Sequence, residues 1–334
     1  MCGDLRMNLY RFICPLLFLL LPETAHGFAL KFLRVYAKFA ATKIQKNPIC
    51  IAGLHFPNRV GIAAGLDKNG DYIDALFSLG CGFIEIGAVT PKPQKGNPKP
   101  RLFRLIRQKA IINRMGFNNL GVGHMLEKLR TRKSSGIVGV NLGKNKETPL
   151  ESAHEDYIFC LEKLYRYADY FSINISSPNT LGLRDLQNAE LLNELLKKIQ
   201  IARDAQVQQT GRFVPLFVKL APDLDDAALK AIVEVLLDRK IEGVIATNTT
   251  LQRPSGTPNE QGGLSGQPLF ELSLKTVKRL SQLTAGRLPI IAVGGLASPV
   301  QAAQMLAAGA SLLQVYTGLI YEGPGLVSQL AATH

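Results

Sequence analysis

Residues 288–318 read LPIIAVGGLASPVQAAQMLAAGASLLQVYTG. Two β-rich runs, Leu288–Val293 and Ser311–Tyr316, flank a helical segment, Val300–Ala308, and each run ends in small residues, Gly294-Gly295 and Thr317-Gly318. A strand, a crossover helix and a second strand make the unit of a parallel sheet. The same alternation extends back to residue 58. Further strands are predicted at Arg59–Ala64, Phe83–Val89, Gly136–Leu142, Tyr170–Ile175, Val214–Leu220 and Gly243–Thr247. Helices are predicted at Tyr72–Ser78, Met125–Arg130, His154–Tyr167, Ala189–Gln200, Asp226–Asp238 and Leu272–Leu283. Eight such units fit a closed (β/α)8 TIM barrel better than an open doubly wound sheet.

The polar residues cluster at the strand ends, as Gly65-Leu66-Asp67-Lys68, Thr90-Pro91, Asn141 to Lys144, Asn174 to Ser177, Lys219 and Thr247 to Thr250. In a barrel these ends converge on one mouth, where catalytic loops sit. Singly, an Asn or Ser is an ordinary helix cap; an ordered set at successive strand ends is a site. The small residues after strands seven and eight let backbone N–H groups approach a phosphate. Lys68 and Lys219 suit negative charge, and Asn141, Asn174 and Thr247 suit directional polar contacts. These residues alone serve a phosphate-bearing sugar as well as a flavin. No G-x-G-x-x-G follows the first strand, which argues against a dinucleotide fold.

With 334 residues, 46% of them apolar, the chain can fill one large barrel and carry an appendage. Its formal charge of +13 admits nucleic acid, an anionic membrane or an anionic small substrate. The excess is local: residues 1–50 hold seven Lys/Arg against two acids, and residues 91–110 hold seven and no acid. Neither patch contains a nucleic-acid reading module, so no nucleic-acid partner is expected; beside an apolar segment, such charge suits lipid head groups. Cys2, Cys14, Cys50, Cys81 and Cys160 show no C-x-x-C spacing and read as reduced cytosolic thiols. No metal site is expected.

Phe12–Leu21 is an apolar run broken by Pro15, with Arg6 and Arg11 ahead of it. As a helix it rises about 15 Å, half of the roughly 30 Å hydrocarbon core, so it does not span a membrane. A basic start and Thr24-Ala25-His26-Gly27 share part of the form of a signal peptide, but the cysteine usage argues against export. Beyond Pro22, Phe28, Phe32, Val35 and Phe39 share one helical face, and Lys31, Arg34 and Lys38 another. This amphipathic helix either packs across one end of the barrel or rests on a membrane; a hollow lid does both. The expected division is a helical extension at 1–48 and a catalytic barrel at 49–334.

Eight blocks carry a family resemblance: AAGLDKNG (63–70), IEIGAVTPKPQKGNPKPRLFRL (84–105), INRMGFNN (112–119), NISSPNTLGLR (174–184), VKLAPDL (218–224), GVIATNTT (243–250), GGLSGQPL (262–269) and IAVGGL (291–296). In this order they resemble the quinone-dependent, class 2 dihydroorotate dehydrogenases across nearly the whole chain. The resemblance implies FMN lined by Ala64, Gly65, Lys68, Thr90, Asn141, Asn174, Lys219, Thr247, Gly266, Gly295, Tyr316 and Thr317. It implies a pyrimidine held by Lys68, Asn113, Phe117, Asn174, Asn179 and Asn248, and a quinone reached through the N-terminal lid past His26, Arg104 and Tyr316.

The implied reaction oxidises dihydroorotate to orotate, within pyrimidine (UMP) biosynthesis. Ser177 is the implied base, with Thr180 and Phe117 along the proton's exit, and ubiquinone the final acceptor. No His/Asp partner for Ser177 is evident, so a hydrolase triad is not supported. The soluble class 1 relatives, which use fumarate or NAD, carry cysteine as the base and lack the N-terminal helices. Other FMN-barrel oxidoreductases do not explain the asparagine set; a noncatalytic phosphate- or membrane-binding barrel would explain only the glycines and the basic patches. The expected protein is a monomer, peripheral on the cytoplasmic face of a bacterial inner membrane.

Overall fold

The computed structural model describes residues 2–39 and 44–332, without the side chains of 2–9 and 11. Two helices, α1 (Cys2–Leu19) and α2 (Pro22–Tyr36), precede a short hairpin, Ile49–Ile51 with Leu54–Phe56. Eight parallel strands then close a barrel: β1 (Val60–Ile62), β2 (Phe83–Val89), β3 (Ile137–Leu142), β4 (Tyr170–Asn174), β5 (Leu216–Leu220), β6 (Gly243–Ala246), β7 (Ile290–Val293) and β8 (Leu312–Val315). Their neighbours around the barrel follow chain order, with β8 pairing β1. The outer helices are α3 (Ile73–Phe77), α4 (Gly121–Thr131), α5 (Ala153–Leu164), α6 (Ala189–Thr210), α7 (Asp226–Asp238), α8 (Phe270–Thr284) and α9 (Pro299–Ala307). Two more, α10 (Thr317–Glu322) and α11 (Gly325–Ala332), follow β8. All eight expected strands are present, so the chain is a (β/α)8 barrel.

The barrel floor is packed by rings against glycines. Gly61 is registered opposite Phe83, Gly139 opposite Tyr170, and Gly243 opposite Phe217. A methyl group on these glycines would lie 2.5, 2.0 and 2.1 Å from the facing ring, far inside van der Waals contact. Phe56 of the hairpin meets Phe83 edge-on at 5.1 Å, and Tyr170 meets Phe217 at 5.2 Å. The floor is therefore sealed, and the opposite end is left for chemistry.

A three-stranded antiparallel sheet stands over that open end, built from Leu102–Leu105, Ala110–Asn113 and Gly263–Gly266. It brings residues from the loop after β2 beside residues from the loop after β6. The helical pair lies against it. Arg101 grips Glu23 of α2 with two hydrogen bonds, 2.9 and 3.1 Å, a bidentate pair of the strong kind.

Pro15 interrupts the apolar run in sequence but lies inside α1. Helix α1 is fixed from outside at its middle and its C-terminal end: the Tyr10 hydroxyl donates to Ile320 O at 2.5 Å, and Arg104 donates to the carbonyls of Leu17, Phe18 and Leu20. A cation suits this end of the helix dipole, and the guanidinium adds a donor to each carbonyl, of which Leu17 O also accepts from Leu20 N at 3.2 Å. Among the described residues, no helix is long and apolar enough to cross a membrane. Ala25 and Leu30 turn inward on α2. The face carrying Phe28, Phe32 and Val35 turns to solvent; Phe32 is 65% exposed, and Phe12 and Leu19 of α1 are 76% and 83% exposed. The apolar face read from sequence is thus not the one packed on the barrel.

Candidate active site

One cavity of about 410 Å³ lies between the barrel mouth, the antiparallel sheet and α2. Asn141, Asn174 and Lys219, from the ends of β3, β4 and β5, form part of its wall, with Gln314 of β8. Ser177, Asn179 and Asn248 follow from the loops after β4 and β6, and Asn113 from the antiparallel sheet. Gly65, Gly266, Gly294, Gly295 and Gly318 present backbone where side chains would otherwise fill the space. Gly294 and Gly295 have φ of +118° and +77°, values that favour glycine.

The amides are linked to one another. Asn174 Nδ2 donates to Asn141 Oδ1 at 2.9 Å, and Asn248 Nδ2 to Ser176 Oγ at 3.0 Å and Asn174 Oδ1 at 3.4 Å. Asn179 Nδ2 donates to Asn113 Oδ1 at 3.1 Å. Each amide carries both donor and acceptor, so a linked set can face the carbonyl and N–H edges of a planar heterocycle together. Ser177 is buried and its Oγ accepts a 3.3 Å bond from Asn179 N; among the described residues no carboxylate or imidazole is hydrogen-bonded to its hydroxyl.

The other end of the cavity is charged. Lys68 Nζ donates to Gly65 O at 2.6 Å, and the same oxygen accepts from the Tyr316 hydroxyl at 3.2 Å. Burial, and then the Arg101 cation, push Lys68 down to about 8. Burial, and then the Lys68 charge, hold His26 down to about 4, so its imidazole is neutral at pH 7. Burial also lifts Tyr316 to about 12.

A family profile for dihydroorotate dehydrogenase matches residues 48–333. The chain belongs to the dihydroorotate dehydrogenase family. It is 51% identical to a protein named dihydroorotate dehydrogenase (quinone) from Coxiella burnetii, covering 96% of this chain and 95% of that one. A protein of the same name from Cellvibrio japonicus is 49% identical, covering 97% of each. Among solved structures, DHODH of Eimeria tenella in complex with ferulenol superposes with a TM-score of 0.86 at 38% identity, covering 93% of this chain and 90% of that one.

Most residues that the dihydroorotate dehydrogenase resemblance singles out meet at this cavity: Ala64, Gly65, Lys68, Asn113, Phe117, Asn141, Asn174, Ser177, Asn179, Lys219, Thr247, Asn248, Gly266, Gly295, Tyr316 and Thr317, with His26 from α2. Three stand outside its wall. Thr90 is buried in a knot of loops, its hydroxyl donating to Lys92 O at 2.8 Å and accepting from Asn119 and Asn145. Arg104 lies under α1, its guanidinium stacked 4.7 Å over Phe18 while it caps the helix. Thr180 is buried behind the loop, with a hydroxyl that has no partner among the described residues.

The sequence reading missed Glu85, Gln314 and the Glu23–Arg101 pair. Glu85 carried a usable signal: it is the one charge in the strand FIEIGAV, whose residues are all buried. A buried charge must be paired or hydrogen-bonded, so a lone acid there marks a polar network inside the barrel. Gln314 carries a weaker form of the same mark, as the one polar residue in the buried strand LLQV, whereas Arg101 sits among other basic residues and carries none.

Proposed function

We propose that the chain is a quinone-dependent dihydroorotate dehydrogenase that oxidises dihydroorotate to orotate and passes the electrons, through FMN, to a membrane quinone. The observation that carries this reading is the meeting of Ser177 with the amides of Asn113, Asn174, Asn179 and Asn248 on a cavity whose far wall is bare glycine backbone. The residues fit FMN on chemical grounds. Lys219 suits negative charge on the ring and Asn141 its polar edge, the Gly294–Gly295 and Thr317–Gly318 backbone suits a phosphate, and the buried Gln314 Oε1 has no partner among the described residues. Ala64, Gly65, Lys68, Asn174, Thr247, Gly266 and Tyr316 complete that holding set; Thr90 steadies the loop beside it. When bound, FMN takes up the hydride from C6 of dihydroorotate and later supplies two electrons to the quinone.

The side chains do the rest. Asn113, Asn174, Asn179 and Asn248 hold the pyrimidine edges, and the Lys68 cation holds its carboxylate. Ser177 takes the proton from C5, which requires that C5 be held against Oγ; this orientation supplies most of the advantage. As Ser177 Oγ gains that proton it releases its own, which the buried hydroxyl of Thr180, three residues on, would pass outward to solvent by exchanging it for its own; Phe117 shields the reacting atoms from water. On the other side, neutral His26 and Tyr316 face the quinone, while Arg104 holds the helix it enters beside. The outward apolar face of α1 and α2, with its basic neighbours, suits a peripheral membrane contact, on the cytoplasmic face, by a monomer.

The deciding experiment is anaerobic. Adding dihydroorotate to the purified protein is expected to bleach its yellow absorbance, and adding quinone to restore it. A protein that holds FMN yet is not bleached overturns the substrate; bleaching without return overturns the acceptor.

A further inference from the structure

Glu85 lies inside the barrel, outside the cavity wall, with its side chain fully buried. Its two oxygens meet four groups from four strands. Oε1 accepts from Asn141 Nδ2 at 2.8 Å and faces Lys219 Nζ at 3.5 Å; Oε2 accepts from Gln314 Nε2 at 2.8 Å and from the Tyr170 hydroxyl at 3.2 Å. A carboxylate only accepts, whereas an amide offers a donor end or an acceptor end according to how it is turned.

That asymmetry propagates. Because Glu85 and Ser172 Oγ take both N–H groups of Asn141, at 2.8 and 3.0 Å, Asn141 must turn its oxygen to Asn174. Asn174 then meets Asn141 with its N–H group, at 2.9 Å, and turns its own oxygen toward Ser176 and Asn248. Asn248 in turn directs its N–H group inward and accepts from Thr249 N with its oxygen at 2.8 Å. On the opposite side, Gln314 gives its N–H group to Glu85 and is left with a bare oxygen.

We infer that Glu85 is a positioning residue for substrate recognition: one buried carboxylate fixes which way the row Asn141–Asn174–Asn248 is turned, and so which ring edges the cavity accepts. This rests on the reading of the cavity as an orotate site. Replacing Glu85 by glutamine keeps the shape but removes the direction, because a glutamine can meet Asn141 with either end. The row then has two arrangements, only one of which matches the ligand.

The test uses the full chain loaded with FMN, titrated with orotate and followed by the change in flavin absorbance. E85Q is expected to bind orotate roughly tenfold more weakly or worse, the consequence of leaving a buried donor or acceptor unmatched. The double variant E85Q/N141D restores direction, since a carboxylate at position 141 accepts from the amide introduced at position 85 on one side and from Asn174 on the other. It is expected to regain most of that affinity, whereas N141D alone sets two carboxylates face to face and loses it. A residue that only filled space would not be rescued by a second change that conserves volume. Wild-type orotate affinity in E85Q overturns the inference, as does a double variant no better than the single ones. If E85Q fails to retain flavin, the double variant read against N141D decides alone. Wild-type protein that holds FMN without responding to orotate overturns the substrate reading instead.

Discussion

The barrel mouth and the N-terminal helical pair, whose α2 walls the same cavity, are built on opposite plans. At the mouth, the amides of Asn141, Asn174, Asn179 and Asn113 are tied to other side chains by bonds near 3 Å, so their orientation is set before any ligand arrives. Among the described residues, the polar ties of the helices are mainly Arg101 on Glu23, Arg104 at the end of α1, and Tyr10 on Ile320; Leu30 packs inward, and large apolar groups turn outward. The difference teaches that a proton transfer needs fixed geometry within fractions of an ångström, while admission of a flexible apolar molecule needs surface and some freedom.

Four changes separate the two regions, the largest effect first. Ser177→Ala removes the base and is expected to slow flavin reduction by roughly 10²–10⁴-fold with FMN still bound; rapid-mixing absorbance would show it, and a near-normal rate would end the role of Ser177. Phe28→Ser with Phe32→Ser removes two exposed rings from α2. Partition onto anionic vesicles is expected to fall by roughly tenfold to a hundredfold in a sedimentation assay, with reduction by dihydroorotate unchanged. Unaltered partition would show that another face meets the lipid.

The third change is pH. Lys68, pushed down to about 8, carries its cation below that value and loses it above. KM for dihydroorotate is therefore expected to be flat below pH 8 and then to climb, by up to about tenfold per unit. Lys68→Met should show a high KM with no such break; a break that survives the substitution belongs to another group. The smallest effect is at the clamp. Glu23→Gln removes the charge but leaves an amide oxygen to accept from Arg101, and is expected to raise amide hydrogen exchange along α2 only a few-fold. Exchange that rose equally in the barrel strands would show that the helices and the barrel are one cooperative unit.

Much of the barrel was legible in the chain. The predicted strand Phe83–Val89 and helix Asp226–Asp238 match the observed elements end to end, the helix because Asp225 caps it by accepting from Ala228 N. Helix α6 runs ten residues beyond its predicted end, to Thr210; its polar last turns hid the real stop, Gly211, which adopts the left-handed conformation. The antiparallel sheet went unseen because its strands are four residues long and its central pairing joins segments some 150 residues apart, Asn113 with Gly263. No local pattern reports such a pairing.

The site was legible to the extent that strand ends carry chemistry. Lys219, Asn141 and Asn174 announce themselves there, and the cavity gathers them. Thr90 looks the same in sequence, and Arg104 was named by the resemblance alone, but their hydrogen bonds are directed at loops and at a helix end rather than at the cavity. Glu85 carried a signal of a different kind, a lone charge in a wholly buried strand, and lies one layer below the surface that lines the cavity.

The glycines of the barrel floor bear on how this chain can diverge. Gly61, Gly139 and Gly243 each leave room for a ring on the neighbouring strand, directly across the register. A substitution at one of these glycines is admissible only after its ring has shrunk, and a smaller ring leaves a void until the glycine has grown. Each pair must cross a valley of reduced fitness in two steps, so three positions far from the chemistry and bearing no polar side chain are expected to change in lineages only as couples.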